Sequence, residues 1–414
     1  MTINNQQHQQ PLVLIAGGGP AGLLSSILLD KIGVQSVVIE RAAEPDEWSS
    51  KSYTIVLGKN GKASLAEAGC LEAAVDAGIE RQFIYFYDAS RGDVKAMPKQ
   101  ASGLGFTRPL LVQTLEQVAV ECPRVTLKRG AGVSHVIKKG KTCLEVKLED
   151  GSVLSASHVI GADGKWSNVR ESFQELSSQF TMETCPSFGV HMNLSTIPES
   201  FKSDGTYIIK PSSSDSKFLI LASPRPEIGQ GLSISMVCYD QTLEKYPWLA
   251  PPADMKIEDY GKGGWQDEYS ALPGTLKAEE NLSHNLKNLF QEELPAFYNA
   301  IKDDEVFQTA RINRRVNWLK MNAEGGSYAT KDGMIALIGD AAHAMTPSLG
   351  EGCNTALTSA VILIDSIKAV MEQKGEEECS LDAMSDAFIQ YGCSRPAEMK
   401  QVQEASAARN MGPK

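Results

Sequence analysis

An apolar run that ends in a glycine-rich turn is the feature that most constrains this fold. Residues 12–16 (LVLIA) lead directly into GGGPAG, after which apolar residues recur at helical spacing up to Gly33, and a second apolar run occupies 36–39. This order predicts a strand, a helix and a second parallel strand. Units of this kind bind a dinucleotide where the first strand meets the helix.

The three glycines of this turn have separate expected roles. Gly17 permits the tight turn, Gly19 lets the backbone approach a pyrophosphate, and Gly22 allows the helix to pack closely on the sheet. The helix N-terminus offers free amide donors to the phosphates. The second strand closes at Glu40, whose carboxylate suits ribose hydroxyls. We also assign to this nucleotide site the adjoining residues Pro20, Ala21 and Arg41.

Two later segments have the same character as the first strand and turn. HVIGADG at 158–164 and MIALIGDAAH at 334–343 each join an apolar strand to Gly and Asp. We expect all three strands to share one sheet, which requires another domain to be inserted between them. Alternating apolar and polar residues between 180 and 240 predict antiparallel strands with one covered face. The predicted division is a flexible tail (1–10), a discontinuous nucleotide-binding domain (11–175 and 330–414) and a substrate-binding domain (176–329).

Length and composition narrow the class of protein. A chain of 414 residues, 42% hydrophobic and 22% charged, is expected to form two lobes with a shared interface. A net charge of -11 argues against broad nucleic-acid binding. The eight cysteines are scattered, so we predict reduced thiols, no metal site and a cytoplasmic or other reducing compartment. We predict neither a signal peptide nor a membrane span, and the oligomeric state stays open.

The second and third motifs distinguish among nucleotide-binding proteins. GADGKWSNVR (161–170) and GDAAHAMTPSLGEGCNTA (339–356) follow the first motif in the order and at the distances of the FAD-dependent aromatic hydroxylases. The chain resembles this family, which includes para-hydroxybenzoate hydroxylase, and within it is most similar to kynurenine 3-monooxygenase-like proteins. The resemblance implies an α/β fold with a Rossmann-like FAD-binding domain, an inserted antiparallel β-sheet substrate domain and a C-terminal helical segment.

The resemblance also implies roles for individual residues. Asp340 is expected to bind a ribityl hydroxyl, while Asp163 and Arg170 either contact FAD and the nicotinamide nucleotide or form a structural ion pair. Pro347 and Gly350 belong to a flavin-facing loop that acts through its backbone. The helix after Gly350 points its N-terminus at the flavin, where the reduced anion carries negative charge. The remaining residues implied to contact FAD are Lys51, Arg108, Gly352, Cys353 and Asn354.

Three residues near this loop have a plainer interpretation than catalysis. We interpret His343 as a packing and hydrogen-bonding residue rather than a general base. Glu351 stands where many relatives have Gln, which brings a carboxylate near the flavin unless it is protonated or turned away. We interpret Cys353 as a small packing residue rather than a nucleophile.

The activity implied by the resemblance is that of a single-component monooxygenase. NADPH or NADH reduces FAD, O2 then forms a C4a-hydroperoxyflavin, and one oxygen atom hydroxylates or epoxidises an aromatic or other electron-rich small molecule. Two alternatives stay open, a non-oxygenating FAD-fold binding or escort protein and an FAD-dependent epoxidase of isoprenoid-type substrates. The substrate is not identified, and the candidate pocket strands carry His191, Asn193, Tyr207 and Tyr239.

Overall fold

The computed structural model describes residues 10–44, 54–185, 187–226, 231–249, 275–301, 305–313, 317–322 and 324–409. Lys51 and nearly all of the predicted tail lie outside these ranges. The helices are α1 Pro20–Lys31, α2 Lys59–Ala68, α3 Leu71–Ala77, α4 Arg108–Glu121, α5 Asn168–Glu171, α6 Gln174–Ser177, α7 Asp240–Lys245, α8 Thr275–Glu293, α9 Pro295–Ile301, α10 Glu305–Gln308, α11 Asp340–His343, α12 Gly352–Lys374 and α13 Leu381–Arg409. The strands are β1 Leu12–Ala16, β2 Gln35–Glu40, β3 Thr54–Leu57, β4 Ile79–Asp88, β5 Val94–Thr107, β6 Val125–Arg129, β7 Val133–Lys138, β8 Leu144–Leu148, β9 Val153–Ala156, β10 His158–Gly161, β11 Phe180–Thr184, β12 Ser187–Leu194, β13 Gly205–Lys210, β14 Phe218–Arg225, β15 Gly231–Tyr239, β16 Arg311–Asn313, β17 Asn317–Met321 and β18 Ile335–Leu337.

A five-stranded parallel sheet forms the centre of the first lobe. Its strands lie in the order β18, β10, β1, β2, β6. Val13 pairs with His158, and Val159 pairs with Ile335, both in parallel register. The three strands predicted from distant motifs are therefore neighbours, which confirms that they share one sheet. Because the strands are parallel, their carboxyl ends meet at one edge, where sheets of this type form a ligand-binding crevice.

Helix α1 begins directly after β1 because the local sequence favours a helix start there. Gly19 is its N-cap, and Pro20 occupies the first turn, where a missing amide hydrogen costs no hydrogen bond. The helix is buried on several sides, since α4 and α12 both pack against it. Burial of a side chain such as Leu23 contributes about 2 kcal/mol. Gly33, with φ +79°, then turns the chain into β2.

The larger sheet has eight strands in the order β16, β12, β15, β14, β13, β4, β5, β3. Strands β12, β14 and β15 pair antiparallel, as the alternation predicts, whereas β13 pairs with β4 in parallel. Three of the eight strands come from residues 54–107, which the sequence analysis assigned to the nucleotide-binding domain. The larger sheet therefore begins earlier in the chain than the predicted inserted domain.

The hairpin of β4 and β5 explains this difference. The carboxyl end of β5 places Leu104 and Phe106 in the core of the first lobe, while β4 places Tyr85 and Tyr87 in the core of the second. A register shift in β4 between Arg81 and Phe83 separates the two parts of the hairpin, and such irregularities bend a strand. Alternation along the sequence cannot reveal that one hairpin contacts two cores.

The two faces of the larger sheet differ in their surroundings. One face carries Phe188, Val190 and Met192 into a core shared with Phe290 of α8 and Phe297 of α9. Because side chains alternate along a strand, the intervening residues lie on the opposite face. We call this opposite side the open face, and its partly exposed residues include His191, Leu219, Leu221, Ser235 and Val237.

The C-terminal helices α12 and α13 pack on each other and complete the first lobe. Their presence confirms the predicted C-terminal helical segment. Among the residues described, α12 has the length and apolar composition of a membrane-crossing helix, but 56% of that stretch is buried inside the protein. Core helices of globular proteins often meet the same length and composition criteria, so this feature is weak evidence for a membrane span.

Candidate functional site

The glycines of the turn after β1 lie in two kinds of environment: two are closely packed against protein atoms and one faces open space. Gly17 adopts φ +103°, and a Cβ there would lie well under 3.0 Å from the carbonyl oxygen of Ala162. A Cβ on Gly22 would lie similarly close to the carbonyl oxygen of Gly17. At Gly19 the nearest atom to such a Cβ is a guanidinium nitrogen of Arg108 at 3.9 Å. Gly17 and Gly22 are therefore required by the protein's own packing, whereas Gly19 leaves room for a ligand.

Glu40 is held in a fixed position beside this turn. One carboxylate oxygen accepts a hydrogen bond from the amide of Gly18 at 2.7 Å, and the other accepts from the amide of Ala42 at 2.8 Å. A shallow cleft opens next to it. We call this the nucleotide cleft, and its lining residues are Gly18, Gly19, Glu40, Ala42, Arg108, Pro109, Val112 and Arg129.

Arg129 is a cleft residue that the sequence analysis missed. Its guanidinium forms an ion pair with Glu116 and also donates to the carbonyl oxygen of Ala42 at 3.3 Å. Arg129 is the last residue of β6, and it pairs in register with Glu40 at the end of β2. Knowledge that β6 follows β2 in the sheet would have identified it, because adjacent parallel strands end at the same edge.

Arg41 lies differently from the other predicted residues of this region. It is not among the residues that line the nucleotide cleft, and its side chain forms an ion pair with Glu149 at 2.6 Å. Both side chains of this pair are substantially exposed, so the pair contributes little to stability. A role of Arg41 in cofactor binding stays a prediction.

The second motif connects two strand ends through Arg170. This buried guanidinium donates to the carbonyl oxygens of Ala341 and Lys165, both at 2.9 Å, and pairs with Glu171 at 3.2 Å. Asp163 uses one carboxylate oxygen to accept from the amide of Val169 at 3.1 Å. Arg170 therefore connects the second motif to the residue after Asp340, a role that the sequence analysis did not consider.

Asp163 retains one carboxylate oxygen that is buried and has no hydrogen-bond partner within the described parts of the chain. Burial raises the pKa of this carboxyl group, against the opposing effects of Ser167, Val169 and Arg170. A buried hydrogen-bond acceptor without a partner lowers the stability of the folded protein, and such atoms are rare in native structures. Such an atom is consistent with a site completed by a bound group.

Asp340 is the first residue of α11, three positions after β18 ends, where the third motif meets the first. The preceding Gly339 adopts φ +56°, and a Cβ there would lie 3.4 Å from Ala356 and 3.5 Å from Ala21. Asp340 is exposed to solvent. Desolvation raises the pKa of its carboxyl group, and the nearby cations Arg108 and Lys165 lower it.

Residues 344–351, which we call the cleft loop, connect α11 to α12. Pro347 and Gly350 are both exposed. Gly350 adopts φ +68°, and a Cβ added there would meet no atom within 4 Å. Its carbonyl oxygen accepts a hydrogen bond from the side-chain amide of Asn354 at 3.1 Å. The loop thus presents backbone to open space while its end is fixed by α12.

Asn354 is a connecting residue in this structure. Its side-chain oxygen accepts from the amide of Gly58 at 2.8 Å, and its amide nitrogen donates to the carbonyl oxygen of Val56 at 3.1 Å as well as to Gly350. The predicted direct contact between Asn354 and FAD stays a prediction. What the contacts establish is that Asn354 joins β3 of the larger sheet to the start of α12.

The pKa shifts of the titratable residues near the loop all favour the uncharged form of the side chain. Burial, together with Arg395, lowers the pKa of His343 to about 3, and its Nε2 lies 2.8 Å from the hydroxyl oxygen of Ser359. Burial and Asp340 raise the pKa of Cys353 to about 12, against Arg108. Burial also raises the pKa of Glu351. A neutral His343 and a protonated thiol agree with their interpretation as packing residues.

These features fit FAD. The first motif offers open backbone at Gly19 with Arg108 and Arg129 nearby, which suits a pyrophosphate and ribose. The third motif offers Asp340, open backbone at Gly350 and the N-terminus of α12, which suits a ring that becomes anionic on reduction. Lys51, which was predicted to contact the flavin, lies outside the described residues.

Comparison with known proteins agrees with this assignment. The model of a family described as FAD binding domain matches residues 11–262 and 274–387. The FAD-dependent monooxygenase verC1 of Penicillium polonicum is 23% identical over 418 residues, which cover 95% of this chain but only 46% of that relative. This chain therefore spans about half the length of that relative. The 6-methylpretetramide 4-monooxygenase of Streptomyces rimosus is 25% identical over 391 residues, covering 90% of this chain and 79% of the relative.

A solved structure supports the fold. A variant of HpxO from Klebsiella pneumoniae complexed with FAD superposes with a TM-score of 0.68 at 16% identity, over 97% of this chain and 90% of that one. The predicted α/β fold is thus confirmed, and the family match confirms FAD as the cofactor. The closer likeness to kynurenine 3-monooxygenase stays a prediction. Since the family model matches most of the sequence, the chain belongs to the FAD binding domain family, and its curated relatives named above are monooxygenases.

Proposed function

We propose that this protein is an FAD-dependent monooxygenase that uses NADPH or NADH and O2 to oxidise an aromatic or other electron-rich small molecule. The observation that carries the proposal is that three distant strand ends meet beside a cleft loop with open backbone. The product is a hydroxylated or epoxidised molecule. When bound, FAD supplies the redox chemistry by accepting a hydride from the nicotinamide and activating O2.

The protein's own residues bind and orient the cofactor in this proposal. Gly19, the N-terminus of α1 and the cations Arg108 and Arg129 hold the adenosine diphosphate part. Asp340 accepts a hydrogen bond from the ribityl chain. Pro347, Gly350 and the first turn of α12, which contains Gly352 and Cys353, would hold the flavin ring by its pyrimidine edge. The positive end of the α12 dipole stabilises negative charge there.

We assign the larger sheet to the reacting end of the site. At one edge of this sheet, β3 is joined to the start of α12 through Asn354. The separate two-stranded sheet of β11 and β17 contacts the start of the cleft loop, since the amide of Leu319 in β17 donates to the carbonyl oxygen of Ala344 at 2.9 Å. The larger sheet is therefore tied to the helix that follows the cleft loop. Because helices cover the other side of the sheet, the open face is the one we assign to the substrate.

The chemistry of the open face supports a largely apolar substrate with a few polar groups. The side chains that offer apolar contacts are Leu219, Leu221 and Val237. The polar groups include His191 and Ser235, with Nδ1 of His191 at 2.8 Å from the hydroxyl oxygen of Ser235. Of the four candidates from the sequence, His191, Asn193 and Tyr239 lie on the open face by alternation. Tyr207 is instead buried in the second core and accepts a hydrogen bond from the amide of Lys202 at 2.6 Å.

Several finer points belong to the proposal. The two relatives described above are not named for kynurenine. A kynurenine-type compound is therefore one candidate substrate beside phenols, other aromatic acids and polyenes. A binding or escort protein without oxygenase activity is the second candidate. The exposed backbone of the cleft loop at Gly350 argues against it, because a protein that binds no flavin does not need this feature. All eight cysteines are free thiols, which supports a reducing compartment such as the cytoplasm.

The test is oxygen transfer by the purified, FAD-loaded protein. NADPH and NADH oxidation is measured with a panel of phenols, aromatic acids and polyenes, and products are analysed after reaction under ¹⁸O2. We expect one substrate class to accelerate oxidation and to gain one ¹⁸O atom. Asp340→Asn is expected to weaken FAD binding, while Asp365→Asn, an exposed position on α12, serves as the matched control. A protein that binds no FAD, or one that never incorporates ¹⁸O, would refute the proposal.

A further inference from the structure

The last turns of α13 contact the back of the cleft loop through two buried polar side chains. Gln403 is 3% exposed and Ser406 is fully buried. Neither residue belongs to the three nucleotide-binding motifs. A buried polar side chain is retained at a cost unless its hydrogen bonds are satisfied, so the partners of these two residues reveal what they hold.

Gln403 joins the start of the cleft loop to β17. Its side-chain amide nitrogen donates to the carbonyl oxygen of Leu319 at 2.7 Å and to that of Ala344 at 3.0 Å. The amide of Leu319 donates to the same carbonyl oxygen of Ala344 at 2.9 Å. Both hydrogens of the Gln403 amide are therefore used, and Ala344 is fixed from two sides.

Ser406 holds the middle of the loop. Its hydroxyl donates to the carbonyl oxygen of Thr346 at 2.7 Å and lies 2.6 Å from the hydroxyl of that residue. The hydroxyl of Ser348 donates to the carbonyl oxygen of Ser406 at 2.6 Å. Pro347 lies between these two contacts and is exposed. The loop is thus held from behind at the residues on either side of Pro347.

We propose that Gln403 and Ser406 are positioning residues that fix the cleft loop at the distance from the flavin at which its backbone stabilises the reduced ring. This inference rests on the proposed function. Electrostatic stabilisation by backbone dipoles depends on their being fixed before the reaction, and a small displacement of positioning groups lowers catalytic efficiency greatly. The two side chains act through the loop and do not themselves touch the flavin.

The experiment compares Gln403→Met and Ser406→Ala with controls on the same helix. Gln401→Met and Ser394→Ala make the same changes at exposed positions, and Ser406→Thr keeps a hydroxyl at the tested position. Hydrogen exchange of residues 344–351 is measured on the FAD-free protein. On the FAD-loaded protein we measure the flavin midpoint potential and the hydrogen peroxide released per NADPH consumed.

We expect exchange in the cleft loop to accelerate about fivefold in each tested variant, which corresponds to ~1 kcal/mol, the net value of one hydrogen bond. Exchange in β1 and α1 stays unchanged. The midpoint potential becomes more negative and peroxide release rises, while Ser406→Thr lies closer to the parent protein than Ser406→Ala does.

Two outcomes overturn the inference. One is exchange that accelerates equally throughout the protein, because Gln403 and Ser406 then serve general stability only. The other is a loop that exchanges faster while the midpoint potential and peroxide release match the controls. Failure of the proposed function looks different, since the parent protein itself would then bind no FAD or transfer no oxygen. The exchange measurement on the FAD-free protein is independent of that result.

Discussion

The substitutions Gly19→Ala and Gly22→Ala add the same methyl group at positions three residues apart. We expect Gly22→Ala to lower the stability of the fold and Gly19→Ala to lower the affinity for FAD. At Gly22 the new Cβ would lie well under 3.0 Å from a backbone oxygen, a contact that real Cβ atoms do not make. Alanine also favours a helix over glycine by about 1 kcal/mol, so any net loss of stability must come from the steric conflict. We expect a loss of ~3 kcal/mol, typical of overpacking in a core.

At Gly19 the nearest protein atom to a new Cβ lies 3.9 Å away, and its φ of -75° suits alanine. Replacing glycine at a helix N-cap costs roughly 0.5–1 kcal/mol, so the fold is largely retained. The methyl group instead enters the space we assign to the pyrophosphate. We expect FAD affinity to fall at least about tenfold, which corresponds to ~1.4 kcal/mol.

Thermal unfolding of the FAD-free protein and FAD titration by fluorescence distinguish the two effects. Gly22→Ala should lower the midpoint by roughly 3 °C, whereas Gly19→Ala should change it little and lose affinity. The reasoning is refuted if both variants unfold at the same lowered temperature, or if Gly19→Ala binds FAD as tightly as the parent protein.

Three further predictions concern the cleft loop and its surroundings. Asn354→Leu removes three hydrogen bonds and should destabilise the FAD-free protein by ~2–3 kcal/mol, which denaturant unfolding measures; an unchanged midpoint would contradict the connecting role. Burial and Arg395 lower the pKa of His343 from 6.5 to about 3. Between these two values the unfolded chain binds a proton at this residue and the folded protein does not. The contribution of His343 to folding stability is therefore fully present above about pH 6.5 and is lost as the pH falls towards 3. His343→Gln should flatten this loss in a series of thermal midpoints, and an unaltered pH profile would show that His343 does not contribute. Since burial raises the pKa of Cys353 to about 12, iodoacetamide at pH 8 should label the exposed Cys393 first, as mass spectrometry detects; equal labelling would show that Cys353 is accessible as a thiolate.

The parts of the site that follow from local sequence could be predicted. The turn at Gly17, Gly19 and Gly22 and the strand ends at Asp163 and Asp340 are visible because each requires particular residues within about ten positions of the chain. Those positions suffice to predict one parallel sheet, because an apolar run that ends in Gly and Asp is typical of a strand of a nucleotide-binding sheet.

The parts that depend on distant partners could not be predicted. Arg129 lines the nucleotide cleft only because β6 lies next to β2, and the sequence does not state that order. Gln403 and Ser406 resemble ordinary polar residues of a surface helix, since their partners lie 58 to 84 positions earlier in the chain. For the same reason the Arg170 contact with Ala341 was not expected.

Strand β5 has a consequence for how the protein responds to ligands. Its 14 residues run from the second lobe into the first, but the ladder with β4 is interrupted between them, because Pro98 pairs with Phe83 and Gly103 pairs with Arg81. Residues 99–102 therefore have no partner in the β4 ladder at the crossing. Since hinge bending needs a few residues that can change their backbone angles, we expect any movement of one lobe against the other to bend the hairpin at these four residues.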